Sequence, residues 1–269
     1  MRFLPIVILI YLFSVSSCKV DNTQKIFDDI ELSNENHSFA FMLASNQNYF
    51  STQAQENHFN ALFNGNVSGI NANKVHGFVL FPDASGLLAS ETAKDIKALY
   101  DNQGSNVFLF YPEVFENMFD HGVLYGNWKN AIKATINNTS AICDIGVKTD
   151  NFGKNINIYV KSKVNTNVDS TINACVYLVN KQIIAAQDTS LSDSDPNYIH
   201  YNVLKSSLST SSFGEPCQAH SMGAINKNTF TYSVPDGTNR TNLKFVVVLY
   251  EMNNGIPKKV LNCRTIEPL

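Results

Sequence analysis

Four cysteines in the second half of the chain are the side chains best suited to thiol or metal chemistry. Cys217 and His220 stand three positions apart, as in half of a zinc site, but no matching second pair accompanies them. They are therefore weak metal candidates. No Cys-x-x-Cys motif is present. The sequence allows two equally plausible states for Cys143, Cys175, Cys217 and Cys263. They form up to two disulfides, whose pairing the sequence does not determine, or they are buried free thiols.

Other motifs of catalysis are missing from the sequence. No Gly-x-Ser-x-Gly elbow follows a predicted strand, no glycine-rich phosphate loop is present, and the acidic residues are too scattered to nominate a carboxylate pair. A net charge of −3 argues against a nucleic-acid partner. These observations favour a non-enzymatic protein without a cofactor. The alternative is a metal-dependent hydrolase or a thiol-redox protein that uses the C-terminal Cys and His residues.

Two groups of polar and aromatic residues are candidates for binding. Tyr198, His200 and Asn202 alternate along a predicted strand, which places their side chains on one face. They form either a polar binding strip or a strand edge that satisfies buried backbone groups. Tyr49 and Phe50 lie in a loop rich in amide side chains, which suits contact with a protein or glycan partner or only serves folding.

The first eighteen residues have the pattern of an export signal. Arg2 precedes an apolar run from Phe3 to Phe13, which is shorter than the roughly twenty residues that cross a bilayer. Val-Ser-Ser-Cys18 resembles a bacterial lipobox. We therefore expect a lipoprotein signal peptide at residues 1–17, lipidation of Cys18 that anchors the protein to a membrane, and a tether at residues 18–36.

Residues 37–140 alternate between predicted strands and helices. Buried strands are predicted at Phe39–Ala44, Val75–Phe81 and Val107–Tyr111, and Pro112 closes the third of them. Helices follow each strand, the last one capped by Asn127. This order predicts an α/β layer with a mainly parallel sheet and invites comparison with thioredoxin-like folds. Pro112 would then take the place of a cis-proline or simply end a strand as a trans-proline.

Residues 141–269 contain about seven short strands separated by turn signals, which predicts a β-sandwich. The strongest signal is a hairpin that joins Leu243–Glu251 to Lys258–Ile266 across Asn254-Gly255. The change of period near residue 140 predicts a boundary between two domains.

The second half of the chain also resembles a known family. Residues 174–184 and 198–205, Gly214-Glu215 and the closing hairpin resemble the outer membrane protein 28 family of lipoproteins. The resemblance implies a thioredoxin-like domain followed by an immunoglobulin-like β-sandwich, on a lipid anchor in the outer membrane that faces the periplasm or the cell surface. Members often carry a Cys pair after the first strand, and residues 46–52 here contain none. A binding or scaffolding role is therefore expected, without thiol–disulfide exchange by the first domain.

Overall fold

A computed structural model describes residues 22–45, 57–101, 113–116, 119–120, 125–138, 140–188 and 194–268. The helices are α1 (Asn22–Asp28), α2 (residues 57–63), α3 (Glu91–Asp101) and α4 (Tyr125–Asn137). The longer strands are β1 (Ser38–Leu43), β2 (Val75–Leu80), β5 (Cys143–Phe152), β6 (Asn155–Val164), β7 (Thr171–Ile184), β10 (Ile199–Ser207), β12 (Ile225–Ser233), β13 (Leu243–Asn253) and β14 (Ile256–Ile266). The short strands are β3 (Glu113–Glu116), β4 (Phe119–Asp120), β8 (Gln187–Asp188), β9 (Ser194–Asp195) and β11 (Glu215–Pro216). The fold is therefore mixed, with more strand than helix.

A sheet of nine strands runs through the described part of the chain. Its order is β14-β13-β7-β10-β2-β1-β3-β4, and β11 pairs with β7 as well. The parallel pairs among its described strands are β1 with β2 and β2 with β10, and the other pairs are antiparallel. The prediction of a mainly parallel sheet is wrong, because β3 and β4 form a hairpin whose short connection allows only antiparallel pairing. Strand β10, which comes after residue 140 in the chain, pairs with β2 and so extends the sheet that the first half forms.

Three apolar layers cover the two faces of this sheet. One face packs against α3 through Ala93 and Ile96. The other face packs against α2 and α4 at one end, where Phe59 and Trp128 are buried. At its other end this second face packs against a three-stranded sheet of order β12-β6-β5. Helix α4 begins at Tyr125, so Asn127 lies within its first turn and is not its cap.

Residues 22–33 pack on the three-stranded sheet, and Glu35 and Asn36 are hydrogen-bonded to Asn262 and Asn138, so the prediction of a tether is wrong for this part of the chain. Phe27 and Ile30, three positions apart, are both buried, and the Phe27 ring meets Tyr159 of β6 edge-on at 5.6 Å. Ser33 and Ile145 exchange backbone hydrogen bonds. The apolar residues of this short segment bury enough surface to hold it against β6. No helix in the described ranges is long and apolar enough to cross a membrane.

The main sheet curls, so that the last residues of β14 reach the first residues of β1 and β2. The side chains of Thr265 and His76, 189 positions apart, are hydrogen-bonded at 2.9 Å. Beside His76, a Cβ atom on Gly77 would lie 1.6 Å from the carbonyl oxygen of Ala40, so only glycine fits between the paired strands. This curl brings together polar residues that are far apart in sequence.

Candidate functional site

The face of the main sheet that packs against α3 is polar at one end. Along β13, Lys244 shares this face with Val246, Val248 and Tyr250, because side chains alternate along a strand. In the same way His76 shares it with Phe78 of β2. His37, Lys244 and His76 are all at least nine-tenths buried. Three ionisable side chains therefore lie at one end of an otherwise apolar layer.

A cleft of about 560 Å³ opens at this polar end. The end of α2 and the 3-10 turn Ala72–Lys74 form one side of the cleft, and the ends of β7, β10, β13 and β14 form the other. Its polar lining residues are Asn64, Asn73, His76, Lys181, Gln182, Tyr201, Asn202, Lys244, Thr265 and Glu267. The size and the mixed lining are typical of a site for a small ligand.

Lys244 is the buried charged residue of the cleft, with 7% of its surface exposed. Its Nζ donates a hydrogen bond of 2.6 Å to Oδ1 of Asn202 and lies 5.2 Å from the centre of the Phe63 ring. Burial lowers the pKa of Lys244 from its ordinary value to about 8. Glu267, whose charge works in the opposite direction, is bonded to Lys181 at 2.9 Å. The ammonium group of Lys244 thus has an amide oxygen, not a carboxylate, as its hydrogen-bond partner in the described residues.

Two asparagines extend the hydrogen bonding of Lys244 in one direction. An ammonium group can only donate, so Asn202 must present Oδ1 to it, and its Nδ2 then donates to Oδ1 of Asn60 at 2.7 Å. Nδ2 of Asn60 is buried and has no acceptor among the described residues. Asn202 has a φ of 56°, a left-handed conformation that asparagine tolerates better than most residues. The orientation of both amides is therefore fixed by Lys244.

A second chain of hydrogen bonds runs through two stacked histidines. The rings of His37 and His76 lie 4.9 Å apart, with His37 Nδ1 at 2.7 Å from His76 Nε2. Arg264 Nη1 lies 3.2 Å from His37 Nδ1 and closer still to His37 Nε2, and because a guanidinium group can only donate, Nε2 is taken as its acceptor. His37 Nδ1 then donates to His76 Nε2, and His76 Nδ1 donates to Oγ1 of Thr265. This direction of the chain follows from donation by Arg264 to Nε2, the nearer of the two His37 nitrogens.

Both histidines are neutral in the folded protein at neutral pH. Burial, reinforced by the charge of Arg264, lowers the pKa of His37 to about 4. Burial and the neighbouring His37 hold the pKa of His76 well below its ordinary value. Protonation of either ring would place a positive charge in a buried position near Arg264. On His76 this charge would also be repelled by Lys244.

The predicted strip of Tyr198, His200 and Asn202 does not form. His200 is fully buried and its ring meets those of Phe81 and Tyr198, whereas Asn202 lines the cleft. The prediction fails because the left-handed conformation of Asn202 interrupts the alternation of β10. Of the three residues, only Asn202 contributes to the cleft.

The four described cysteines are free thiols, and none of them lines the cleft. Burial raises the pKa of Cys143 and of Cys217 to about 12 and that of Cys175 to about 11, the opposite of what an activated thiol needs. Sγ of Cys217 lies 3.6 Å from Oδ1 of Asn228, and His220 is exposed. Within the described ranges no three His, Cys, Asp or Glu residues are grouped closely enough to hold a metal ion.

Several predicted features lie outside the described residues. They are the lipidated Cys18, the loop residues Tyr49 and Phe50, the strand at residues 107–111, and Pro112. Their roles stay predictions.

Lys244, His37 and His76 are not among the residues predicted above, although the sequence contains a signal for them. Each lies at the start of a strand or just before it, and in each of these strands the residues that point to either face of the sheet are apolar. Such a strand is buried on both faces, so a charged or ionisable residue in line with it is buried too. That is an unusual and costly position for a lysine.

This chain is similar to several solved structures and to a protein family. HBP35 of Porphyromonas gingivalis matches with a TM-score of 0.68 at 11% identity, over 88% of this chain and 76% of its own. A domain of the outer membrane lipoprotein Omp28 from Porphyromonas gingivalis matches with a TM-score of 0.31 at 16% identity, over 47% of this chain and 88% of its own. The first similarity shows a shared fold. A comparison with curated protein sequences gives no match.

The family is shown by the sequence itself. The family described as outer membrane protein Omp28 matches residues 120–267, which is more than half of the chain. This stretch includes most of the walls of the cleft, among them Asn202, Lys244 and Thr265. The chain therefore belongs to the Omp28 family and is a protein of the outer membrane, as its sequence predicts.

Proposed function

We propose that this protein is a non-enzymatic binding protein of the cell envelope and that its ligand binds in the cleft at Lys244. The observation that carries the proposal is a buried ammonium group with only an amide oxygen and an aromatic face as partners in the described residues. A buried charge that no carboxylate contacts directly costs several kcal/mol, and the charge of Glu267 offsets only part of this cost because it is paired with Lys181. Such a cost is typical of a functional site, where a bound ligand offsets it.

Two features support the finer description of the fold that the sequence suggests. The strand order β2-β1-β3-β4, with helices on both faces, is compatible with a thioredoxin-like region at residues 37–140. The three-stranded sheet packed on β7, β13 and β14 is compatible with an immunoglobulin-like sandwich at residues 141–269. On this proposal the first region keeps the framework of a redox domain and serves binding or scaffolding.

The competing function is an enzyme that uses the thiols or a metal at Cys217 and His220. The raised pKa values of Cys143, Cys175 and Cys217 speak against thiolate chemistry, because a thiol with a pKa of about 11 or 12 is protonated at neutral pH. Metal analysis of the purified full-length protein is the discriminating measurement. Stoichiometric zinc would favour the hydrolase and contradict a simple binding protein.

Filling the cleft tests the binding proposal. Ala72 lines the cleft, and Ala72→Trp places a large side chain in it. Native mass spectrometry of the protein extracted from its own membranes should show a bound small molecule in the wild type and its loss in Ala72→Trp. Met222→Trp is the control, because Met222 is 67% exposed and lies outside the cleft. Equal ligand content in the wild type and Ala72→Trp, or none in the wild type, would contradict the proposal.

The proposed lipid anchor has its own test. Cys18→Ala should move the protein from the membrane fraction to the soluble fraction, since the acyl chains that Cys18 would carry supply the membrane affinity. Cys217→Ala is the matched control and should stay with the membranes. If Cys18→Ala remains bound to membranes after a high-salt wash, lipidation of Cys18 is not the anchor.

A further inference from the structure

We infer that the cleft recognises a carboxylate group of its ligand and that Lys244 and Thr265 bind this group. The inference rests on the proposed binding function and names the chemistry of the bound group. It follows from the charge of the cleft and from the direction of the hydrogen bonds around it.

The first argument is the charge of the cleft. Two lysines and one acidic residue line it, and the carboxylate of Glu267 already pairs with Lys181 at 2.9 Å. Lys244 therefore supplies one positive charge that is not matched by a carboxylate contact in the described residues. Of its three N–H donors, one reaches Asn202 and another direction faces the Phe63 ring. A donor remains for an acceptor that enters the cleft.

The second argument is the hydroxyl group of Thr265. When Arg264 donates to Nε2, the nearer nitrogen of His37, the hydrogen bonds run through both rings so that His76 Nδ1 donates to Oγ1 of Thr265. A hydroxyl that accepts from a histidine still has its own hydrogen to donate. Thr265 lines the cleft and is half-buried, so this hydrogen is available to a ligand there. The cleft thus presents two donors, and its ligand must present an acceptor.

The third argument separates a carboxylate from a phosphate. Phosphate sites combine several strong donors, often an arginine fork or the N-terminus of a helix. The described lining contains no arginine, and α2 contributes its C-terminal end, whose partial charge is negative. One free ammonium and one hydroxyl match the charge and the two oxygens of a monoanionic carboxylate.

An NMR titration of the full chain tests the inference with minimal probes. The protein is labelled at lysine Cε, and the signal of Lys244 is identified by its loss in Lys244→Met. The probes are sodium acetate, neutral acetamide and inorganic phosphate, at ionic strength held constant with sodium chloride. Acetate should shift the Lys244 signal saturably and raise the pKa of Lys244 by about 1, because a nearby negative charge favours the ammonium form. Acetamide should do neither.

Variants of Thr265 distinguish binding at the cleft from general ion effects. Thr265→Val should weaken acetate binding about tenfold, while Thr265→Ser should restore it, because serine keeps the hydroxyl. Equal responses to acetate and acetamide, tighter binding of phosphate than of acetate, or no response beyond that to chloride would each overturn the inference. If Ala72→Trp still displaces the native ligand in those cases, only the carboxylate assignment fails. If Ala72→Trp has no effect on that ligand, the proposed function fails as well.

Discussion

Two buried polar networks lie on the same face of the main sheet, one at each end. At the cleft end are His37, His76 and Lys244. At the other end, the hydroxyl of Tyr177 donates to the carbonyl oxygen of Ser212 at 2.7 Å and lies 2.9 Å from the hydroxyl of Tyr250. Lys244 and Tyr250 belong to the same strand, six residues apart on one face.

The two networks differ in charge and in completeness. We call the network of Tyr177, Tyr250 and Ser212 the closed network, because its polar atoms satisfy one another. Burial raises the pKa of Tyr177 and of Tyr250 well above the ordinary value, so this network is neutral. The cleft network contains the ammonium of Lys244 and faces solvent-accessible space. Burial of polar groups alone therefore does not identify a binding site. A site is marked by burial that leaves a charge facing a cleft.

Acid should produce the largest difference between the networks. Unfolded histidines bind protons near pH 6.5, whereas His37 in the folded protein does so only near pH 4. The free energy of unfolding should therefore fall as the pH drops from 6.5 to 4, by about 3 kcal/mol from His37 alone. Urea denaturation at several pH values measures this.

Two variants assign the acid effect to the histidines. His37→Gln keeps an acceptor for Arg264 and should flatten the dependence of unfolding free energy on pH. Tyr250→Phe, in the closed network, should keep the full dependence. An unchanged slope in His37→Gln would show that His37 is not its source.

At alkaline pH, Lys244 should change the free energy of unfolding by a similar or smaller amount. The pKa of Lys244 is about 8 in the folded protein and about 10.4 in an unfolded chain. Between these values the unfolded chain binds more protons, so the free energy of unfolding should rise with pH by roughly 3 kcal/mol. Lys244→Met should abolish the rise, whereas Lys154→Met, at an exposed salt bridge outside the cleft, should retain it. A rise that persists in Lys244→Met would refute this origin.

The smallest effects are expected in the closed network, and they differ between its two tyrosines. Tyr250→Phe removes one hydrogen bond but leaves the hydroxyl of Tyr177 bonded to Ser212, so it should cost about 1 kcal/mol. Tyr177→Phe leaves both Tyr250 and the carbonyl of Ser212 without this partner and should cost about 2 kcal/mol. Neither change should alter acetate binding at the cleft. Thermal and urea unfolding give the ranking, and a reversed order would show that the hydrogen bonds run differently.

Features set by local chemistry could be predicted from the sequence. The hairpin between β13 and β14 turns at Asn254 and Gly255, whose φ values of 50° and 80° are those that this residue pair favours. The buried strands β1 and β2 were predicted within a residue or two for a similar reason, because continuous apolar runs are buried in most contexts.

Features set by distant partners could not be predicted. The direction of strand pairing depends on which strands become neighbours, so the sequence predicts a mainly parallel sheet for residues 37–140, whereas β1 and β3 are antiparallel. The cleft joins His76 to Thr265 across 189 positions, and nothing in the local pattern of either residue names the other. The orientation of Asn202 also depends on Lys244, 42 positions away.

The packing of α1 has a consequence for how the protein sits on a membrane. Cys18 precedes the first residue of α1 by four positions, a length of chain that spans at most about 14 Å. Because Phe27 holds α1 on β6, an acyl chain on Cys18 would tie the three-stranded sheet close to the bilayer. The body could then neither swing far from the lipid surface nor reverse its orientation. The proposed anchor would thus fix which side of the protein meets the membrane.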